Sequence, residues 1–304
     1  MEHFDIVGVG GITVDHLSVV TKFPEKDTKI IPLWSSMQGG GQAATAIAQL
    51  GRLGVKTALI STVGEGPIGQ FAIETMQKEG VNTDMVRIQN GHAPALSSVI
   101  IEDKIGSRTI ISDRGGLSHL PLHDEMYELV KNAKYLHTDA HFPEENLKLV
   151  KFAKENGVKI CLDAEPHTPN VDEFVKLTDI LIVSRCFVER DFGHDYEKAL
   201  RAYIDNGVEI AIITLGKYGS IGMRKDDMDV VTVPIYPVEP VVDTTGAGDV
   251  FHGAFLYGCL QNFDLKKAMQ FSAICAGLKC LKIGGRMGMP TLEQAMKALD
   301  ELEG

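Results

Sequence analysis

The residue types best suited to chemistry stand together in one short stretch, Asp243-Thr244-Thr245-Gly246-Ala247-Gly248-Asp249. Gly246 and Gly248 let the backbone approach a ligand closely, and the apolar run from Val250 to Leu256 predicts a helix buried on most of its sides. A small-residue turn that opens such a helix aims free N–H groups, and the positive helix end, at one point. That point suits the anionic oxygens of a transferring phosphoryl group. Asp249 would stand there as the single carboxylate, placed to accept the proton of an attacking hydroxyl, the task of a general base in phosphoryl transfer. The plainer alternative is an aspartate that only stabilises its helix start. Three small residues ahead of a buried helix are more than a cap requires, and the balance falls toward chemistry.

A second glycine turn, Gly39-Gly40-Gly41-Gln42-Ala43-Ala44, also opens a helical pattern. It reads either as a connector or as a place where backbone N–H groups touch a substrate. Gly8-Val9-Gly10-Gly11 has the look of a dinucleotide fingerprint, but Ile-Thr-Val-Asp-His follows it, a strand pattern where that fingerprint needs a helix. A GxxxxGK[ST] loop is absent from the sequence, so any kinase chemistry here does not use a P-loop.

The elements that must hold these turns alternate along the chain. Short apolar strands are predicted at 4–10, 57–63, 135–138, 159–163, 180–184 and 210–215. Amphipathic helices are predicted at 43–53, 68–79, 144–156, 196–206 and 264–281. Near-continuous apolar strands between helices imply a mostly parallel sheet buried on both faces. Two stretches, 15–38 and 94–112, carry β-branched alternation and turn residues instead. They predict a small antiparallel sheet that projects as a lid or an interface, spanning about 13–38 and 94–113; a pair of long surface loops is the alternative. A chain of 304 residues accommodates all of this as one α/β domain over 1–304.

Composition narrows the partners. The formal net charge of -11 lacks the clustered Lys and Arg that a nucleic-acid backbone demands, while leaving room for a nucleotide held by backbone N–H groups. Five scattered cysteines without metal-ligand spacing read as buried, reduced thiols. Neither a basic leader nor an apolar run of ~18 residues is present, so a cytoplasmic protein with no membrane partner is expected.

Together these residues resemble the ribokinase-like (PfkB) carbohydrate kinases over nearly the whole chain. The segment 243–249, continuing into Phe251 and Gly253-Ala254-Phe255, is similar to that family's C-terminal signature. Gly39-Gly40 leading to 46–54 and Val63-Gly64 is similar to its N-terminal one. Thr214-Leu215-Gly216-Lys217-Tyr218-Gly219 looks like its nucleotide turn. The resemblance implies a three-layer sandwich with a β-sheet lid, and an ATP-dependent kinase that acts with Mg²⁺. It implies Asp249 as base and Gly246, Ala247 and Gly248 as the anion hole. Thr214, Gly216, Gly219 and Ser184 would lie along ATP, with the adenine against Ala273 and Ala276. Asp15, at the end of the first strand, would hold acceptor hydroxyls beside Gly39, Gly40 and Gly41, and Asp243, Thr245, Cys280 and Gly285 would hold a monovalent cation such as potassium. The lid would often also join two copies in a homodimer.

Several positions depart from the family pattern. Ala44 stands where an Asn is usual, and Ser184-Arg185-Cys186-Phe187 replaces an N-x-x-E motif near the metal, leaving Asp163 as a substitute carboxylate. The nearest resemblance is to the sulfofructose kinase-like branch, through GGGxAATA and Gly284-Gly285-Arg286-x-Gly288-x-Pro290. Of that branch's sulfonate-binding residues only Lys29 is kept, with Asp113 and His141 where Asn and Arg are expected. The expected function is therefore phosphoryl transfer from ATP to a hydroxyl of a sugar or an anionic sugar, the anion being met by Lys29, Arg108 or Arg114. Two alternatives stand beside it. One is a nucleoside kinase of the same fold, with Trp34 or Phe23 as a base clamp, and the other is a sugar-binding sensor without catalysis.

Overall fold

A computed structural model describes residues 3–103, 108–164 and 169–303; the first two residues, and the part of the second β-rich excursion at 104–107, lie outside the described residues. The chain opens with the fully buried β1 (Ile6–Val9) and passes through three residues into β2 (Thr13–Val20). β3 (Trp34–Gly40) leads through Gly41 into α1 (Gln42–Arg52). There follow β4 (Thr57–Gly64), α2 (Pro67–Gln77), β5 (Val86–Gln89), β6 (Leu96–Glu102) and β7 (Arg108–Asp113). The alternation continues with α3 (Asp124–Lys131), β8 (Tyr135–Thr138), α4 (Pro143–Glu155), β9 (Lys159–Ala164) and α5 (Val171–Leu177). Next come β10 (Ile180–Ser184), α6 (Arg185–Phe192), α7 (Tyr196–Asp205), β11 (Ile210–Thr214), β12 (Ser220–Arg224) and β13 (Val230–Val233). Three helices close the chain: α8 (Ala247–Leu260), α9 (Leu265–Lys279) and α10 (Leu292–Glu303).

The apolar strands pair as their patterning predicts. Nine form one sheet in the order β13-β12-β11-β10-β9-β8-β1-β4-β5, parallel from β5 to β11 and antiparallel only at β12 and β13. Successive side chains of a strand point to opposite faces, so each central strand serves two cores. Ile6, Leu59, Ile182 and Ile212 pack with α1, α8, α9 and α10 on one face. Val7, Ile60, Val183 and Ile213 pack with α3 to α7 on the other. Small residues let α1 and α8 approach closely: a Cβ on Gly253 would fall 2.3 Å from the carbonyl of Ala46. Both glycine-turn helices are thereby locked side by side on one face of the sheet.

The two excursions do pair, in the order β3-β2-β6-β7, but not as the wholly antiparallel sheet expected. β2 and β6 run parallel, from Val14 opposite Leu96 to Val20 opposite Glu102, while β3 and β7 flank them antiparallel. Leu17, Val19, Val99 and Ile101 make a small separate core on one face. Ile110 and Ile111 on β7, Met37 on β3, and Ile31 and Leu33 beside it remain exposed. Of the five thiols, all free, three are buried; Cys186 is exposed and Cys259 half-buried, against the expectation of uniform burial.

Candidate active site

The turn 243–249 sits where its sequence pattern puts it. Gly246 caps α8 in the left-handed region, with φ of 74°, and a Cβ there would lie 2.8 Å from the Gly285 carbonyl oxygen. Gly248 faces open space, as a ligand-binding backbone must. Asp249 lies half-buried in the first turn of α8. The Ala247 N–H already donates to the Thr244 carbonyl at 3.2 Å, so this member of the expected anion hole is partly engaged within the turn.

Asp243 braces the turn from beneath. Its Oδ1 accepts from the N–H and hydroxyl of Thr245, at 2.9 and 2.7 Å, and its Oδ2 accepts from the Gly284 N–H at 2.7 Å. Burial raises this carboxyl's pKa, but the hydrogen bonds and nearby Lys279 outweigh it and leave the pKa below the usual value. The carbonyl of Asp243 accepts a 2.7 Å hydrogen bond from the ammonium of Lys279, a fully buried lysine at the end of α9. Two of the residues expected to cage a monovalent ion, Asp243 and Cys280, thus have other partners for their oxygens. The Cys280 carbonyl accepts from the N–H groups of Val242 and Asp243, and its thiol donates to Ala276. Gly285 packs beneath Gly246. A cation cage fits these residues poorly.

The acceptor turn differs from its expected form in two respects. Gly39 and Gly40 end β3, and only Gly41, with φ of 91°, makes the bend into α1. Asp15 does not end the first strand of the main sheet; it sits within β2, opposite Gln38 of β3. The carboxyl is buried and accepts from Thr13 Oγ1 at 3.3 Å. Desolvation raises its pKa, partly opposed by Arg286. Asp139, which the motif search passed over, caps the bend: its carboxylate accepts from the N–H groups of Ala43 at 3.1 Å, Gly11 at 3.4 Å and His141 at 2.9 Å.

Arg286 ties the two turns together. Its buried guanidinium donates to the Gly40 carbonyl at 2.6 Å, to Thr45 Oγ1 at 3.1 Å and to Thr75 Oγ1 at 3.3 Å. Asp15 and Asp249 both act electrostatically on it, while desolvation lowers its pKa to about 10. From the lid, Arg108 donates to Thr244 Oγ1 at 2.8 Å, so the residue expected to meet substrate also touches the anion turn. Lys29 is exposed on the connection between β2 and β3. A cavity of about 390 Å³ beside Gly41 is lined by Gln42, Arg114, Asp139 and His141.

Of the residues expected to meet a nucleotide, Ser184 and Thr214 stand at one strand edge. Ser184 and Thr214 are register partners at the ends of β10 and β11, and the turn from Leu215 closes with its N–H on the Gly219 carbonyl at 2.7 Å. Gly216 and Gly219 have φ of 60° and 88°, and half-buried Ala273 and Ala276 lie on α9. Asp163 Oδ1 lies 3.5 Å from His252 Nε2 on α8, and β9 ends one residue further on, at Ala164. Ala44 is fully buried in α1. Trp34 and Phe23 are both partly exposed on or beside the lid.

A glycine-capped helix with a carboxylate in its first turn, packed on a mostly parallel sheet and reached by Arg108 from a β-sheet lid, is the arrangement of a kinase of small hydroxyl acceptors. The chain belongs to the pfkB family of carbohydrate kinases, whose profile matches residues 4–292. It is 27% identical to a ribokinase of Haemophilus influenzae over 304 residues, covering 96% of this chain and 97% of that one. Among solved structures, Arabidopsis thaliana ribokinase complexed with ribose and ATP superposes with a TM-score of 0.86 at 25% identity, covering 98% of this chain and 99% of that one. An Escherichia coli chain solved with ATP and Mg²⁺ shares the fold, with a TM-score of 0.84 at 24% identity over 98% and 99%.

Proposed function

We propose that this enzyme transfers the γ-phosphoryl group of ATP to a hydroxyl of an anionic sugar, with Asp249 as the general base. The observation that carries the reading is the turn itself: Gly246 in the left-handed region, open space at Gly248 and Asp249 one residue on. ATP lies along Ser184, Thr214, Gly216 and Gly219, with its base toward Ala273 and Ala276. The acceptor lies between Asp15, the Gly39–Gly41 segment and Asp249. As the hydroxyl attacks, Asp249 takes its proton, and the backbone N–H groups around Gly246 and Gly248 face the charge gathering on the phosphoryl oxygens. Asp163 and Ser184 are the residues on this chain that would orient a Mg²⁺ ion accompanying ATP, which would supply neutralisation of the phosphate charge.

The cavity beside Gly41 supports an acidic acceptor. Asp139, the carboxylate in its wall, already accepts three N–H groups, whereas Arg114 offers a cation to the space. Arg108 supports lid closure over the reacting groups, which keeps water from taking the phosphoryl group. The exposed apolar strip of Ile31, Leu33, Met37, Ile110 and Ile111 supports a homodimer formed through the lid. The five free thiols support a reducing, cytoplasmic setting, and none of the described helices is long and apolar enough to cross a membrane.

The test is Asp249→Asn, assayed against sugars, sugar acids, sugar phosphates and nucleosides. Turnover is expected to fall by ~10²–10⁴-fold while calorimetric ATP binding persists. Near-normal turnover in that variant would refute the base assignment, and wild-type preference for a nucleoside would refute the sugar acceptor.

A further inference from the structure

A lysine with no exposed surface is expensive, because an ammonium loses its hydration and regains it only through close polar partners. Lys279 is such a residue. It ends α9, where the negative helix end favours a cation. Its ammonium reaches across to the Asp243 carbonyl at 2.7 Å, the residue that opens the anion turn. The carboxylate of the same Asp243 holds Thr245 within the turn and Gly284 in the loop that packs beneath Gly246. One buried positive charge therefore stands at the junction of α9, the 243–249 turn and the 284–286 loop. Asp243, Cys280 and Asp249 all favour its charged form electrostatically, against the desolvation that lowers its pKa.

From this geometry we propose that the Lys279 ammonium is a built-in cation of the anion turn, doing the positioning that a dissociable monovalent ion would otherwise do, so that phosphoryl transfer here needs no potassium. The proposal rests on the kinase reading of the turn. Of the oxygens that would cage an ion, the Asp243 carbonyl is taken by this ammonium and the Cys280 carbonyl by two N–H groups, and a second cation beside the Asp243 carbonyl would meet the ammonium's charge at close range. Lys279 is a positioning residue: it touches neither acceptor nor ATP, and acts by fixing the Asp243 carbonyl and the start of the turn.

Two measurements test it. Wild-type enzyme is exchanged into tetramethylammonium chloride and assayed with and without KCl at matched ionic strength, and its melting temperature is read in both salts. Turnover and melting temperature are expected to be the same with and without potassium; marked activation or stabilisation by potassium would overturn the proposal without any variant. Lys279→Ala is then expected to lose ~10²-fold in kcat with calorimetric ATP affinity kept, and to recover partly in ammonium, methylammonium or potassium but not in tetramethylammonium. The small cations are also expected to raise the melting temperature of this variant and not that of wild type. Full kcat in Lys279→Ala, or a folded variant that no small cation restores, would overturn the proposal. The two failures are distinguishable: Asp249→Asn at full turnover sinks the kinase reading, whereas a potassium requirement with Asp249 intact sinks only the role of Lys279.

Discussion

His137, on β8, and His252, on α8, sit with ring centroids 5.5 Å apart in the interior between the sheet and α8. Desolvation lowers the His137 pKa from 6.5 to about 4, and burial with the neighbouring ring lowers that of His252 well below its usual value. Folded His137 therefore stays neutral through a range in which the unfolded chain takes up a proton. Stability from this site is complete above pH 6.5 and is lost as pH falls toward about 4. With 1.36 kcal/mol for each step of pKa, the full loss is about 3 kcal/mol, and about 2 kcal/mol of it has accrued by about pH 5. The assay is urea unfolding of wild type and His137→Leu at about pH 7.5 and about pH 5. Ordinary carboxylates titrate in both proteins and cancel in the difference between them. Wild type is expected to lose about 2 kcal/mol more than the variant over that interval, and the same acid step should release the packing under α8. Equal losses in the two proteins would refute the reasoning, because the buried neutral imidazole would then carry no linkage.

Two further outcomes are expected. Gly246→Ala must hold an alanine at φ of 74° with its Cβ against the Gly285 backbone, which costs about 1–2 kcal/mol for the conformation alone; urea unfolding should show that loss, and steady-state assays a ~10²-fold lower kcat as the turn is displaced. Ile110→Lys with Ile111→Glu on the exposed lid strand should shift sedimentation velocity from dimer to monomer and leave the melting of the nine-stranded core in place.

The main sheet and the glycine turn ahead of α8 were legible because each rests on a local rule. Continuous apolar strands between helices specify a buried parallel sheet, and small residues before an apolar run specify a tight turn opening a buried helix. The lid strands were legible as strands, but the parallel pairing of β2 with β6 was not. Their partners lie some eighty residues apart, as Asp15 and Ser97 do, and alternation within a strand is the same in either direction. Asp15 was assigned to the end of the first strand but lies within β2: the pair Gly10-Gly11 breaks the strand, yet no local pattern says which sheet the residues after it join. Arg286 and Lys279 were illegible as site residues for a common reason. A lysine ending a helix and an arginine in a glycine loop read as solvated cations, and only the tertiary fold shows that each reaches inward to a backbone carbonyl.

The placement of Asp15 on β2 bears on the kinetics of the enzyme. If Asp15 holds the acceptor as proposed, that side chain belongs to the covering sheet itself, joined to the core by a short link from Val9 to Thr13 and flanked by Gln38 on β3 and Ser97 on β6. Opening the cover would then withdraw that grip, so acceptor capture and exclusion of water would become a single event. The acceptor would have no stable berth in the open form, and ATP bound there would wait with no neighbouring hydroxyl or trapped water positioned to receive its phosphate.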